Sequence, residues 1–389
     1  VPIVLAISLF TLLGWVVFGG ASFEKALINS IAVLVIACPC ALGLATPTAI
    51  MVGMGKGAEN GILFKSSESL EKAASITTLV FDKTGTLTQG KPTVTDVKDI
   101  QSSDLLSRVA SVEKYSEHPL AKAIVEYAES NGVKLRDAQK VLAVPGKGIT
   151  AYIEGHQISV GNRAMMNMNG VVLPQELDQL AEVWQSHGKT VMFASHDQQA
   201  IGAIALQDTL KEGAIATIQS LKQAQVRTVM LTGDNTRAAK AVAGQIGVDE
   251  VVADVLPEQK AANIEALRAV SDDGKVAMVG DGINDAPALA TADVGMAIGT
   301  GTDVAIEAAD ITLISGELQK VPQAIRLSKQ TSRAIRQNLF WAFFYNVVLI
   351  PVAALGLFNQ FGPILAAAAM ALSSLFVVSN SLRLRAAKI

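Results

Sequence analysis

Four charge-free apolar stretches, set as two close pairs around a long charged segment, restrict this chain more than any other feature. They are residues 1–19, 26–52, 339–358 and 361–382. Each is near the roughly 20 residues needed to cross the hydrocarbon of a bilayer. A buried core helix is the competing reading. The lack of charge and the short connectors, residues 20–25 and Asn359-Gln360, favour membrane spans. Basic residues gather beside the long segment: Lys56 and Lys65 after the second span, and Arg326, Lys329, Arg333 and Arg336 before the third. Arg383, Arg385 and Lys388 follow the fourth. An excess of Lys and Arg marks the cytoplasmic side. The expectation is a multi-pass protein of the cell (plasma or inner) membrane, with the large loop and the C-terminus in the cytoplasm. Half of the residues are hydrophobic and 17% are charged, which suits such a chain. A net charge of −3 gives no basis for nucleic-acid binding. The chain starts at Val1 inside an apolar run, with no signal peptide, so a fragment of a longer protein is expected.

Inside the charged segment, three short apolar runs each end in an acidic residue beside a glycine turn: Ile76 to Asp82, Arg227 to Asp234, and Lys275 to Asp281. Helical patterns lie between them, at 211–224, 236–246 and 258–270. Strand and helix in alternation imply a parallel sheet with helices on both faces. Functional groups of such sheets collect at the carboxyl ends of the strands, so the three acids are expected at one crevice. The stretch from about residue 93 to 206 interrupts the alternation, with a helix starting near Pro119 and strands and turns over 141–161. It reads as a separate inserted domain.

Asp82-Lys83-Thr84-Gly85-Thr86-Leu87-Thr88 closely resembles the phosphorylation signature of P-type ATPases. A carboxylate there can attack the γ-phosphate of ATP and form an aspartyl-phosphate. The resemblance implies further roles. Asp82, the Thr84 carbonyl and Asp281 would hold Mg2+, which favours hard oxygen ligands. Thr232 and Gly233, in the run Thr232-Gly233-Asp234-Asn235, would hold phosphate oxygens. Lys260 would neutralise charge, and Asn284 and Asp285 would support the site. The bland alternative, Asp82 as a turn cap among solvated acids, has to explain seven consecutive matching residues followed by two more motifs in order.

Ser116-Glu117-His118-Pro119 resembles the motif of the heavy-metal-transporting (type IB) group. Pro119 suits a first helical position, which puts His118 at a helix start. A lone His before proline is usually a surface residue, but here it has companions. Gly146-Lys147-Gly148 makes a small-residue turn where a nucleotide can approach the backbone. By resemblance, ATP binding falls on Glu113, His118, Gly146, Gly148, Gly161 and Asn162. His156, His187 and His196 read as surface residues.

The two cysteines, Cys38 and Cys40, flank Pro39 in the middle of the second span. Neighbours so close are poorly placed for a structural disulfide. Proline interrupts the helix there, and thiolates select soft metals. Two buried cysteines at a kink is the plain alternative. Tyr345 and Asn346 in the third span, and Met370 with Ser373 and Ser374 one turn on in the fourth, resemble the copper(I) group. No Asp, Glu, Lys or Arg lies inside these spans. Zinc pumps of this family carry an acidic residue in the last span.

The resemblance implies a multi-pass α-helical membrane region and an α/β phosphorylation domain with a haloacid-dehalogenase-like parallel sheet, carrying an inserted α+β nucleotide-binding domain. Expected boundaries are 1–55 for two membrane helices, 56–92 and 206–325 for the two parts of the phosphorylation domain, 93–205 for the insert, and 326–389 for two more helices and a basic tail. The implied activity is ATP-driven export of Cu(I), with Ag(I) as a further cargo. A cytoplasmic copper chaperone is an implied partner, and lipid surrounds the spans. The upstream helices, the actuator domain with its Thr-Gly-Glu loop, and a Cys-x-x-Cys domain are expected outside this chain. The rivals are a zinc or cadmium pump, a membrane-tethered phosphatase without transport, and a metal sensor without catalysis.

Overall fold

The structure, a computed structural model, describes residues 2–38, 40–101, 104–234, 236–271, 274–299, 303–358 and 361–389. Pro39, Asn235 and the Asn359-Gln360 connector therefore lie outside the described residues. The chain divides into two compact units, one made of residues 1–76, 310–314 and 320–389, the other of residues 77–309 and 315–319.

Elements are numbered along the chain. First come α1 (Pro2–Val17), α2 (Phe23–Ile36), α3 (Cys40–Glu59), β1 (Ile62–Phe64), α4 (Ser67–Ala73) and β2 (Ile76–Asp82). The middle of the chain holds β3 (Thr88–Asp99), α5 (Leu105–Glu113), α6 (Pro119–Ser130), β4 (Gln139–Val144), β5 (Gly148–Ile153), β6 (His156–Gly161), α7 (Arg163–Met168), α8 (Gln175–Ser186), β7 (Thr190–His196) and β8 (Gln199–Leu210). Next are α9 (Ala214–Gln223), β9 (Arg227–Leu231), α10 (Thr236–Ile246), β10 (Glu250–Val252), α11 (Lys260–Val270), β11 (Lys275–Gly280), α12 (Ala286–Thr291), β12 (Val294–Ile298), α13 (Asp303–Ala308) and β13 (Ile311–Leu313). Two long helices follow, α14 (Lys320–Ala354) and α15 (Gly362–Leu382).

Among the described residues of the helical unit, three segments are long and apolar enough to cross a membrane: Phe23–Glu59, Lys320–Ala354 and Gly362–Ala386. The helix in the first expected span, α1, has 16 residues, which at 1.5 Å each is about 24 Å. The third expected span is the later part of α14, whose earlier turns carry Arg326, Lys329, Arg333 and Arg336. The second span is two helices, because α2 ends at Ile36 and α3 begins at Cys40. Inside the bundle several polar groups are paired, whereas Asn29 Nδ2 and Ser328 Oγ are buried without a hydrogen-bond partner. Ser8 and Ser30 share a hydrogen bond at 2.7 Å, and Trp15 Nε1 donates to the Ala354 carbonyl at 2.9 Å. The outward faces carry exposed Phe10, Val347 and Ile364, as a lipid-facing surface requires.

In the other unit, five strands form a sheet in the order β12-β11-β2-β9-β10. The β12–β11, β2–β9 and β9–β10 pairs are parallel. The helices α11 and α12 pack on it through Ile264, Ala288 and Leu289, against Val80, Val229 and Met278. Strand β2 is flanked by β11 and β9, so the ends of these three strands lie side by side.

Strands β3 to β8 make a six-stranded sheet in the order β3-β8-β7-β6-β5-β4. Alternation along the strands feeds two cores. Ile204 and Leu206 pack with α5 and α6, whereas Ala203 and Ala205 pack with α7 and α8. Strands β3 and β8 pair from Thr88 with Leu210 to Asp99 with Gly202. The expected limits of the insert, 93 and 205, thus fall within paired strands, and the ladder itself joins the insert to the parallel sheet.

Candidate functional site

Asp82 is the last residue of β2 and is 4% exposed. Lys260, the first residue of α11, donates from Nζ to Asp82 Oδ1 and Asp285 Oδ1, both at 2.7 Å. The second Asp285 oxygen accepts the backbone N–H groups of Asp281 and Gly282 at 3.3 and 3.2 Å. Asp285 therefore ties the lysine to the turn that follows β11. Lys83 Nζ lies 2.6 Å from Asp234 Oδ2, and Asp234 N donates to Thr232 Oγ1 at 3.1 Å. Thr84 and Asn284 are exposed. Gly85, at φ +76°, is where only glycine suits, because a Cβ there would stand 2.2 Å from Asp281 Oδ2.

The charges do not balance. Asp82, Asp281 and Asp285 present carboxylate oxygens all within 4.8 Å of one another. Burial, then repulsion from Asp285, push the Asp82 carboxyl up to about 7, against the pull of Lys260. Burial also raises Asp281, with Lys211 opposing. Burial works against the Lys260 charge, but Asp82 and Asp285 outweigh it and hold the ammonium above its usual range. Such a crowded acidic pocket fits a divalent cation with hard-oxygen preference, Mg2+. Asp208 and Lys211 have no signal in the sequence that singles them out, whereas Thr88 closes the seven-residue run at Asp82. Thr88 Oγ1 donates to Asp208 Oδ2 at 2.5 Å, and the Lys211 amide donates to the Leu87 carbonyl at 2.9 Å. These bonds fasten the end of the insert to the turn after Asp82.

All six residues expected to meet the nucleotide line one cavity of about 390 Å3. His118 caps α6, its Nδ1 accepting from Leu120 N at 3.2 Å, with Pro119 in the first turn. Gly148 and Gly161 face each other across the β5–β6 ladder. A Cβ on Gly148 would sit 2.1 Å from the Val160 carbonyl, and one on Gly161 would sit 2.2 Å from the Lys147 carbonyl. Both glycines are thus required by backbone packing as well as by the cavity wall. Asn162 Nδ2 donates to the Gly146 carbonyl at 2.8 Å and its Oδ1 caps α7, so it shapes the loop. Glu113 is 3% exposed, its Oε1 is buried with no hydrogen-bond partner, and burial pushes its carboxyl up to about 7.

In the helical unit, Cys38, Cys40, Tyr345, Asn346, Met370 and Ser373 line a cavity of about 10 Å3, room for one ion or water. Both cysteines are free thiols, with sulfurs 2.7 Å apart. Ser374, on the next position of α15, is not among the lining residues. The described lining carries no Asp, Glu, Lys or Arg.

Residues 76–293 match the haloacid dehalogenase-like hydrolase family. Over 390 residues the chain is 53% identical to the copper-exporting P-type ATPase of Staphylococcus saprophyticus subsp. saprophyticus, covering 100% of this chain and 48% of that protein. The copper-exporting P-type ATPase of Staphylococcus aureus (strain MW2) is 53% identical over 387 residues, 99% of this chain and 47% of that one. The chain thus spans about half the length of these relatives. Among solved structures, a zinc-transporting PIB-type ATPase in its E2.Pi state superposes with a TM-score of 0.87 at 37% identity, over 99% of this chain and 62% of that chain. The catalytic domain of the CPx-ATPase CopB-B gives 0.56 at 30% identity, over 70% and 98%.

Proposed function

Because this chain belongs to the haloacid dehalogenase-like hydrolases and resembles heavy-metal P-type ATPases along its whole length, we propose that it is the catalytic and ion-gating part of an ATP-driven copper(I) exporter. The carrying observation is the membrane cavity, where two thiols, a thioether and neutral oxygens meet without a fixed charge. Cu(I) accepts two or three soft ligands, and two thiolates nearly balance it. Zn(II) is commonly four-coordinate and carries one more charge. In this cavity it would find only neutral oxygens to complete its shell, in a medium where unbalanced charge is costly.

Asp82 is the proposed nucleophile. One carboxylate oxygen attacks the γ-phosphorus in line, the bond to the β–γ bridging oxygen breaks, and ADP leaves. Lys260 holds Asp82 Oδ1 and offsets negative charge, and Asp285 holds Lys260. Lys83, Thr232 and the Gly233 amide would receive phosphate oxygens. Asp82, Asp281 and the Thr84 carbonyl would hold Mg2+, which when bound would neutralise charge on the γ-phosphate. ATP enters the cavity lined by Glu113, His118, Gly146, Gly148, Gly161 and Asn162. The basic residues flanking the spans support a cytoplasmic position for both sites.

The deciding test is ATPase activity of the full-length pump with Cu(I), Ag(I), Zn(II) and Cd(II). Stimulation by the monovalent ions, abolished by serine at Cys38 and Cys40, is the expected result. Zn(II) stimulation equal to that by Cu(I) would overturn the copper assignment and leave the pump assignment standing.

A further inference from the structure

Two of the three histidines that read as surface residues form a cluster. His196 closes β7 and pairs with Ile158 of β6. His156 stands two residues before Ile158, on the same face, so it is the diagonal neighbour of His196. Their ring centroids are 4.5 Å apart. Asp197 follows in the β7–β8 turn, at φ +53°. Its amide donates to the Gln157 carbonyl at 2.7 Å, and its Oδ1 accepts from Gln157 N at 2.9 Å. These two bonds leave Oδ2 turned to the rings, 2.9 Å from His156 Nδ1 and 3.7 Å from His196 Nδ1.

We propose that His156, His196 and Asp197 form a zinc(II) site on the nucleotide-binding domain, separate from the transport cavity. Ligand atoms from all three lie within 4.8 Å of one another. In a tetrahedral zinc site with bonds near 2.0–2.1 Å, ligands stand about 3.3 Å apart, and the two nitrogen–oxygen distances of 2.9 and 3.7 Å bracket that value. Two imidazoles and a carboxylate suit Zn(II), with water completing the shell, and suit Cu(I) poorly. The ligands converge from two neighbouring hairpins, so the ion would clamp one end of the β6–β7 pair. The nucleotide cavity is lined by Gly161 and Thr190 at the other end of the same strands. Since β6 has six residues, the two ends are about 17 Å apart.

The test uses the full chain in detergent, with serine at Cys38 and Cys40 to remove the thiolates and excess Mg2+ to occupy the carboxylate cluster at Asp82. Zn(II) affinity is read by competition with a chelating indicator, and ligand geometry by the visible spectrum of added Co(II). One Zn(II) per chain is expected, together with Co(II) bands of a tetrahedral nitrogen–oxygen site. Glutamine at both His156 and His196 is expected to lower affinity roughly tenfold or more and to abolish those bands. ATP binding, followed in parallel, reports folding of the domain. If the double variant loses ATP binding, Asp197→Asn replaces it, since an amide oxygen preserves the bond from Gln157 N while removing the charge. Absence of Zn(II) binding in the cysteine-free chain, or unchanged affinity in the folded variants, would overturn the site.

Discussion

At the scale of single residues, charge and burial decide the behaviour of the catalytic unit. Asp82→Asn removes the proposed nucleophile and keeps the shape, so acid-stable labelling from γ-labelled ATP should vanish while nucleotide binding persists. Undiminished labelling would remove Asp82 from the role. In its proposed role the carboxyl of Asp82, pushed up to about 7 by burial and by Asp285, would attack only when ionised. Single-turnover phosphorylation should therefore fall as pH drops below about 7, and this limb should move to lower pH as Mg2+ rises, because a bound cation favours the carboxylate. A limb that ignores Mg2+ would separate the cation from Asp82. Glu113 poses the simpler case. Its folded value of about 7 stands above its ordinary 4.5, with burial as the cause. A raised acid binds more protons folded than unfolded, so its stabilising contribution is complete below about 4.5 and is lost as pH rises through about 7. Glu113→Gln should then be more stable than the parent by roughly 1–3 kcal/mol at pH 8. The gap should close at acidic pH in paired denaturation curves. At the same cavity, His118→Gln should weaken ATP affinity with little change in melting temperature, because His118 is exposed at a helix start.

At the scale of elements, the membrane helices are joined by a buried amide network. Asn338 of α14 is fully buried and donates to the Ala45 carbonyl of α3 at 3.0 Å and to Ser381 Oγ of α15 at 2.9 Å. Asn380 Nδ2 donates to Asn338 Oδ1 at 2.9 Å. Asn338→Leu would leave these partners unmatched in a low-dielectric interior. The expected cost is about 1–2 kcal/mol of bundle stability, measured by thermal or denaturant unfolding of the membrane-embedded chain. Unchanged stability would mean that water or lipid headgroups satisfy the freed groups. In the catalytic unit, the central position of β2 between β11 and β9 brings Asp82, Asp281 and Thr232 together. Sequence alternation foretold that meeting because strand ends of a parallel sheet share one edge. It did not foretell the fastening of Thr88 to Asp208, which depends on how β3 and β8 register.

At the scale of the whole molecule, the prediction is metal choice. Met370→Leu conserves volume and removes the thioether, so Cu(I)-stimulated turnover of the full-length pump should fall with little loss of folding. Normal Cu(I) response in that variant would leave the thiols as sufficient ligands. Local patterns alone determined the charge-free spans, the seven-residue run at Asp82, the acids at strand ends and His118 before Pro119. Each is written in neighbouring residues, through helix or strand period and through the backbone chemistry of proline and glycine. Only the tertiary structure decided which side chains share a cavity. Helix rotation put Ser373 on the cavity with Cys38 and Cys40 and left Ser374 off it, although both lie one turn from Met370. Packing orphaned the Glu113 carboxyl, and backbone approach across β5 and β6 demanded Gly148 and Gly161. Strand register brought His156 beside His196, residues 40 positions apart that no local pattern connects. Burial and register are collective properties of the packed chain, and a period of two or 3.6 residues carries no information about which distant partner a face will meet.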